Sequence, residues 1–183
     1  TYNTASLRPF SELTPHFNFR ISIDTKGPIN PPSNGKSYII SIVDAFSHYY
    51  IPTAVIKHDG ETIVKVLYEK WIILFGPPKI IVCDNGTEFM NENFANFCTT
   101  YGIQVSQRTI HAPWTNGLVE VKHREVGAAL RNAVTDNATR TWSQHLHHFQ
   151  LAINTQNVTK FNMSPIEMIT GQKPRIPVSY THL

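Results

Sequence analysis

Apolar and polar residues alternate over residues 17–23, the period of two of a half-buried strand. Residues 36–43 and 49–56 carry two further strand patterns, rich in Ile, Val and Tyr. A turn-rich stretch at 27–35 separates the first two, and Asp44-Ala45-Phe46-Ser47 turns the second into the third. Three strands in succession without a helix between them predict an antiparallel meander. The period then changes. Asp59 is placed to cap a helix running to about Phe75, with Ile63, Val66, Leu67, Trp71 and Leu74 on one face, and Gly76-Pro77-Pro78 stops it. Residues 79–83 form a fourth strand which, coming after a helix, can pair in parallel with the first. Asn91 caps a second helix with Phe94, Phe97, Cys98 and Tyr101 at helical spacing, and Gly102 ends it. Residues 103–106 are a fifth strand and 107–114 an irregular loop. Asn116 opens a helix that carries Glu120, a further helix covers about 141–154, and Ser164 caps a last short one ending at Gly171. The pattern predicts an α/β fold with a five-stranded mixed sheet flanked by helices. Residues 1–16 read as a linker or arm, 17–176 as one core domain, and 177–183 as a tail of uncertain origin.

Composition narrows the class without choosing the function. The 183 residues suffice for one domain with a real core, and 41% hydrophobic content is ordinary for a globular protein. No apolar run reaches the roughly 18 residues that a membrane span needs, so no membrane partner is expected. A net charge of +3 is compatible with a polyanionic partner but does not diagnose one. The two cysteines, Cys83 and Cys98, make neither a disulfide framework nor a zinc ligand set, and both lie in apolar patterns that predict buried thiols. The chain has no initiator Met, which suggests a fragment of a longer protein.

Candidate chemistry lies in the carboxylates. Asp24 follows the first strand pattern, Asp84 follows the fourth, and Glu120 lies just inside a helix, with 35 residues between the last two. Three acids at element ends can converge on one metal site. Each also has a plainer role: Asp24 and Asp84 as turn residues, Glu120 as a helix-start acid that suits the macrodipole. Asp44 and Glu88 compete as ligands, but Asp44 stands at the far end of an antiparallel strand, where a turn role fits better.

The flanking residues, Asp24-Thr25-Lys26-Gly27-Pro28, Asp84-Asn85-Gly86-Thr87-Glu88-Phe89, Thr115-Asn116-Gly117-Leu118-Val119-Glu120 and Ser164-Pro165-Ile166-Glu167, occur in the order and spacing of a known pattern. The chain resembles the catalytic core of the D,D-35-E integrases of retroviruses and LTR retrotransposons, in particular the gypsy-type branch, from about Leu7 to Arg175. The resemblance implies a ribonuclease-H-like fold and two Mg²⁺ or Mn²⁺ ions, Asp24 bridging both while Asp84 and Glu120 each hold one. It implies 3′-end processing and strand transfer of retroelement DNA into target DNA, with no covalent protein nucleophile. Double-stranded DNA, a homo-oligomer and a nuclear location are the expected partners and setting.

Asn116, Gly117, Lys122, His123, Arg124 and Arg131 are candidate DNA contacts, Arg124 lying one helical turn past Glu120. Here the chain departs from its gypsy-type relatives, which follow this Glu with Arg, an aromatic and Asn; this sequence has Val121, Lys122 and His123. His145, His147 and His148 read as a solvated helix face, since no Cys or acid completes a metal set. The rival functions are a ribonuclease-H-type nuclease acting on RNA–DNA hybrid, and a non-catalytic, host-adopted integrase remnant that binds DNA or protein.

Overall fold

The structure is a computed structural model that describes residues 14–107, 141–159 and 161–175. Its centre is a five-stranded sheet in the order β3-β2-β1-β4-β5. The strands are β1 (Arg20–Lys26), β2 (Tyr38–Asp44), β3 (Tyr50–Val55), β4 (Ile80–Cys83) and β5 (Gln104–Gln107). The first three form the antiparallel meander, while β4 joins β1 in parallel and β5 joins β4 in parallel. The helix between β3 and β4 makes the crossover that a parallel neighbour needs.

Two differences from the periodic pattern have local causes. The first strand begins at Arg20 rather than residue 17, because Asn18 adopts φ 63°, a left-handed conformation no strand accommodates. Asn18 instead ties the strand to the end of the first helix. Its side chain donates to the carbonyl oxygens of Phe75 and Gly76 (2.8 and 3.3 Å) and accepts from Trp71 Nε1 (2.8 Å). At its other end the strand runs on to Lys26, held in register by β2, so Asp24 lies within β1 and not beyond it.

The second difference is in helix α1 (Gly60–Leu67), which Asp59 caps by accepting from Thr62 N. It continues through a π-helical turn (Tyr68–Ile72) and a last α-turn (Ile73–Phe75). The wider turn shifts the helical register. Trp71 and Ile72 are both buried, while Leu74, expected on the core face, is 62% exposed, and Phe75 packs against the core in its place.

The sheet's faces are covered separately. Ile21, Ile23, Ile40, Ile42, Ile81 and Cys83 share a cluster with Ile63, Leu67 and Trp71 of the α1 region and with Phe94 and Cys98 of α2 (Glu92–Thr100). Ile39, Val43 and Tyr50 pack against Trp142, Leu146 and Ile153 of α3 (Trp142–Thr155). The period of two in β2 therefore feeds two cores. Asn154 of α3 accepts from Tyr50 N and donates to Tyr50 O, both at 2.8 Å, so its amide occupies the outer edge of β3 as a further strand would. Pro52, on the same edge strand, carries no N–H to offer. Ser164 caps α4 (Pro165–Thr170) through Glu167 N, and Gly171 ends it at φ 71°.

Candidate active site

The site is built by the register of the two parallel central strands. Arg20, Ile21 and Ser22 stand opposite Ile80, Ile81 and Val82. Carried two residues on, that register sets Asp24 level with Asp84, on backbones separated by the inter-strand spacing of about 4.8 Å. Asp24 is also opposite Ser41 of β2, and so shares the sheet face of α3 rather than the α1–α2 face. Both acids are half-buried. Asp84 leaves the strand into an Asx turn, its Oδ1 accepting from Gly86 N at 3.0 Å.

Asp44 does what a turn residue does. It is fully buried, and four donors converge on it: Asn18 N on Oδ1 (2.9 Å), and Phe46 N, Ser47 N and Ser47 Oγ on Oδ2 (3.1, 2.6 and 2.8 Å). Burial raises its pKa above the ordinary carboxylate value, against the lowering effect of those hydrogen bonds. It sits three residues along the hairpin from Asp24, about 10 Å away, at the opposite end of the sheet.

The loop after Asp84 is anchored at both ends. Phe89 is buried and meets Phe94 edge-on at 5.7 Å, and Phe89 N donates to Gly86 O at 3.0 Å. Asn91 caps α2 by accepting from Phe94 N, while its Nδ2 donates to the carbonyls of Glu88 (2.6 Å) and Thr87 (3.3 Å). Between this loop and the one joining β3 to α1 lies an open cleft of about 870 Å³, whose lining includes Tyr38, His58, Asp59, Glu88 and Asn91. Tyr38 and His58 carried no signal in the sequence; His58 was legible only as the residue before the Asp59 cap.

Glu120, Asn116, Gly117, Lys122, His123, Arg124 and Arg131 lie outside the described residues. Among the described residues no group of three or more His, Cys, Asp or Glu is arranged to hold a metal ion. Asp24 and Asp84 supply two adjacent carboxylates, hard oxygen donors of the kind Mg²⁺ and Mn²⁺ take, and so fit one side of such a site. His147 and His148 are exposed and His145 is half-buried, with the rings of His145 and His148 6.4 Å apart. Cys83 and Cys98 are buried and form no disulfide, and burial pushes the Cys98 pKa up to about 11. No helix of the described residues is long and apolar enough to cross a membrane.

A five-stranded mixed sheet of this order, flanked by helices on both faces, defines a ribonuclease-H-like fold. Solved integrase cores share it. The chain superposes on the HTLV-2 integrase catalytic core domain in complex with magnesium with a TM-score of 0.68 at 19% identity, covering 84% of this chain and 97% of that one. It superposes on a chain of the simian T-cell lymphotropic virus intasome in complex with the PP2A regulatory subunit B56 gamma with a TM-score of 0.74 at 21% identity, covering 88% and 58%. Residues 15–113, more than half of the chain, match the integrase core domain family. The chain belongs to the integrase core domain family. Among its relatives, the retrovirus-related Pol polyprotein from transposon 412 of Drosophila melanogaster is 27% identical over 94% of this chain and 14% of its own length. The Tf2-3 transposon polyprotein of Schizosaccharomyces pombe is 26% identical over 80% and 11%. The chain thus spans about a seventh or less of these relatives.

Proposed function

We propose that this core catalyses metal-dependent phosphoryl transfer on DNA, trimming the ends of a retroelement and joining them to target DNA in the nucleus. The reading is carried by the parallel register of β1 on β4, which, continued two residues, sets Asp24 level with Asp84 just past the end of β4, in an integrase core fold. Asp24, Asp84 and, from outside the described residues, Glu120 would hold two Mg²⁺ or Mn²⁺ ions. When bound, such ions activate an attacking oxygen and stabilise a leaving one. The protein's own part is placement. β1 holds Asp24 by its pairing with Ser41 of β2, and Arg20 to Ser22 tie the same strand to β4. The Gly86 N–H fixes one oxygen of Asp84 and so orients the carboxylate. Asn116, Gly117, Lys122, His123, Arg124 and Arg131 are assigned to the DNA backbone. A homo-oligomer is proposed because relatives of this fold have been solved in dimeric and trimeric forms.

The test is a disintegration assay on branched DNA, which asks little of segments outside the core. The expected result is joined product with Mg²⁺ or Mn²⁺ and none after EDTA. Cleavage of RNA–DNA hybrid without joining would favour the ribonuclease-H rival. DNA binding with no reaction at saturating metal would favour the non-catalytic remnant.

A further inference from the structure

A line of contacts crosses the cleft and links the two acid-bearing segments from outside the acids themselves. It starts at Gly27, immediately after β1, which is at φ 153° and so close to β2 that a Cβ would run into the Tyr38 ring and the Ser37 carbonyl oxygen. The Tyr38 ring lies against the His58 ring, with centroids 4.3 Å apart and planes at 46°. His58 Nδ1 is buried, makes no hydrogen bond, and stands 3.6 Å from Glu88 Oε1. The Glu88 carboxylate folds back over Gly86, where a Cβ would displace it. Gly86 is the residue whose N–H holds Asp84.

We infer that Tyr38, His58 and Glu88 form a clamp that positions the Asp84 loop against the β1 end carrying Asp24, and thereby sets the affinity of the two-acid site for its metal. The inference rests on the reading of Asp24 and Asp84 as metal carboxylates. Glu88 is a positioning residue in this account and not the third ligand. At 3.6 Å the His58–Glu88 contact is longer than a full hydrogen bond, so it acts as a charge and packing contact. Glu88 carries a negative charge that His58, when protonated, offsets. Outer partners of this kind typically change metal affinity 10- to 100-fold.

The experiment measures Mn²⁺ binding by calorimetry, with and without branched DNA, beside the Mn²⁺ dependence of disintegration by the 183-residue protein. His58→Ala and Glu88→Ala should each raise the dissociation constant and the half-saturating Mn²⁺ by roughly 10-fold or more. The maximal rate at saturating metal should stay within about two-fold of the parent. The double variant should be no worse than either single one, since the two residues act as a unit. Gly86→Ala, which pushes Glu88 aside, should reproduce Glu88→Ala. His58→Asn, whose amide takes the place of Nδ1, should restore most of the affinity. Glu92→Ala, in the same cleft but off the clamp, should match the parent. Melting curves in metal-free buffer identify variants that fail to fold, and Gly86→Ala and His58→Asn then decide the matter.

Parental Mn²⁺ affinity in folded His58→Ala and Glu88→Ala would overturn the clamp while leaving the metal reading intact. Loss of all activity at any Mn²⁺ in Glu88→Gln, with His58→Ala unaffected, would overturn it in favour of Glu88 as a ligand. A parent that binds no Mn²⁺ with DNA present would overturn the metal reading and the clamp with it.

Discussion

Asp24 and Asp44 belong to one hairpin, three residues apart along it, and the fold treats its two ends differently. Asp44 is sealed from solvent and receives four hydrogen bonds, three of them on a single oxygen. Its lone pairs are committed to the turn into β3 and to Asn18. Asp24 and its neighbour across the parallel pair, Asp84, are half-buried at the opposite end of the sheet, and Asp84 accepts one hydrogen bond from its own turn. A carboxylate whose acceptors are filled by backbone N–H groups is a structural part. A pair of carboxylates brought level at strand ends, with acceptor capacity left on Asp84, repels itself and gains from a cation. Acceptor saturation therefore separates Asp44 from Asp84.

Amide variants should make that separation largest. Asp24→Asn and Asp84→Asn remove a charge at little change in size, and the Asn at 84 keeps the acceptor for Gly86 N–H. Disintegration should fall by more than the about 100-fold that outer partners of a metal site command. Melting temperature in metal-free buffer should hold or rise slightly as the like charges are relieved. A variant at either position that keeps near-parental rates at saturating Mg²⁺ would break the assignment.

The converse is expected at Asp44. Asp44→Asn turns one acceptor into an NH₂ group amid donors, which costs about 1–3 kcal/mol for a buried mismatch. Burial of a polar group is retained in the variant, so the lost acceptors decide the sign. Chemical denaturation measures this loss, and the disintegration rate well below the melting temperature should remain close to parental. A stable but inactive Asp44→Asn would place Asp44 in the chemistry and blur the contrast.

The two fates were partly legible in the chain. A helix between the third and fourth strand patterns implied the parallel pairing of β4 with β1, and that pairing makes Asp24 and Asp84 neighbours. The position of Asp44 at a strand's far end pointed to a turn. The clamp could not be read: His58 and Glu88 are separated by all of α1 and β4, and the alternation of apolar residues says nothing about polar side chains meeting across a cleft. Asn18 was misread because Phe17 and Phe19 flank it with a strand-like pattern, while its left-handed backbone and its bonds to Trp71, Phe75 and Gly76 are tertiary facts. Leu74 was misplaced because a period of 3.6 does not foresee a π turn. The carry-over of Glu120 and the DNA contacts still rests on the motif, since those residues lie outside the described ones.

The smallest expected effect separates a buried acid from an exposed one by the sign of its pH dependence. Burial raises the pKa of Asp44 above its ordinary value of 3.8. As pH rises, the unfolded chain therefore releases this proton first, and folding is penalised progressively until the folded group also ionises. Asp59 shows the reverse. The Thr62 hydroxyl, then the Thr62 N–H, lower its pKa below 3.8, so its contribution is present above that value and is lost as pH falls through the lowered one. Asn caps a helix about as well as Asp, so Asp59→Asn removes the titration and leaves the cap. Up to about pH 4, the parent's melting temperature should gain on that of Asp59→Asn as pH rises, and above about pH 4 it should lose ground relative to Asp44→Asn. The two difference curves should slope in opposite directions whatever their absolute heights, which keeps the comparison free of the constant cost of the Asp44 mismatch. Parallel slopes would mean that the hydrogen bonds to Asp44 outweigh its burial, and that its carboxylate stays charged in the fold at pH values where Asp59 does.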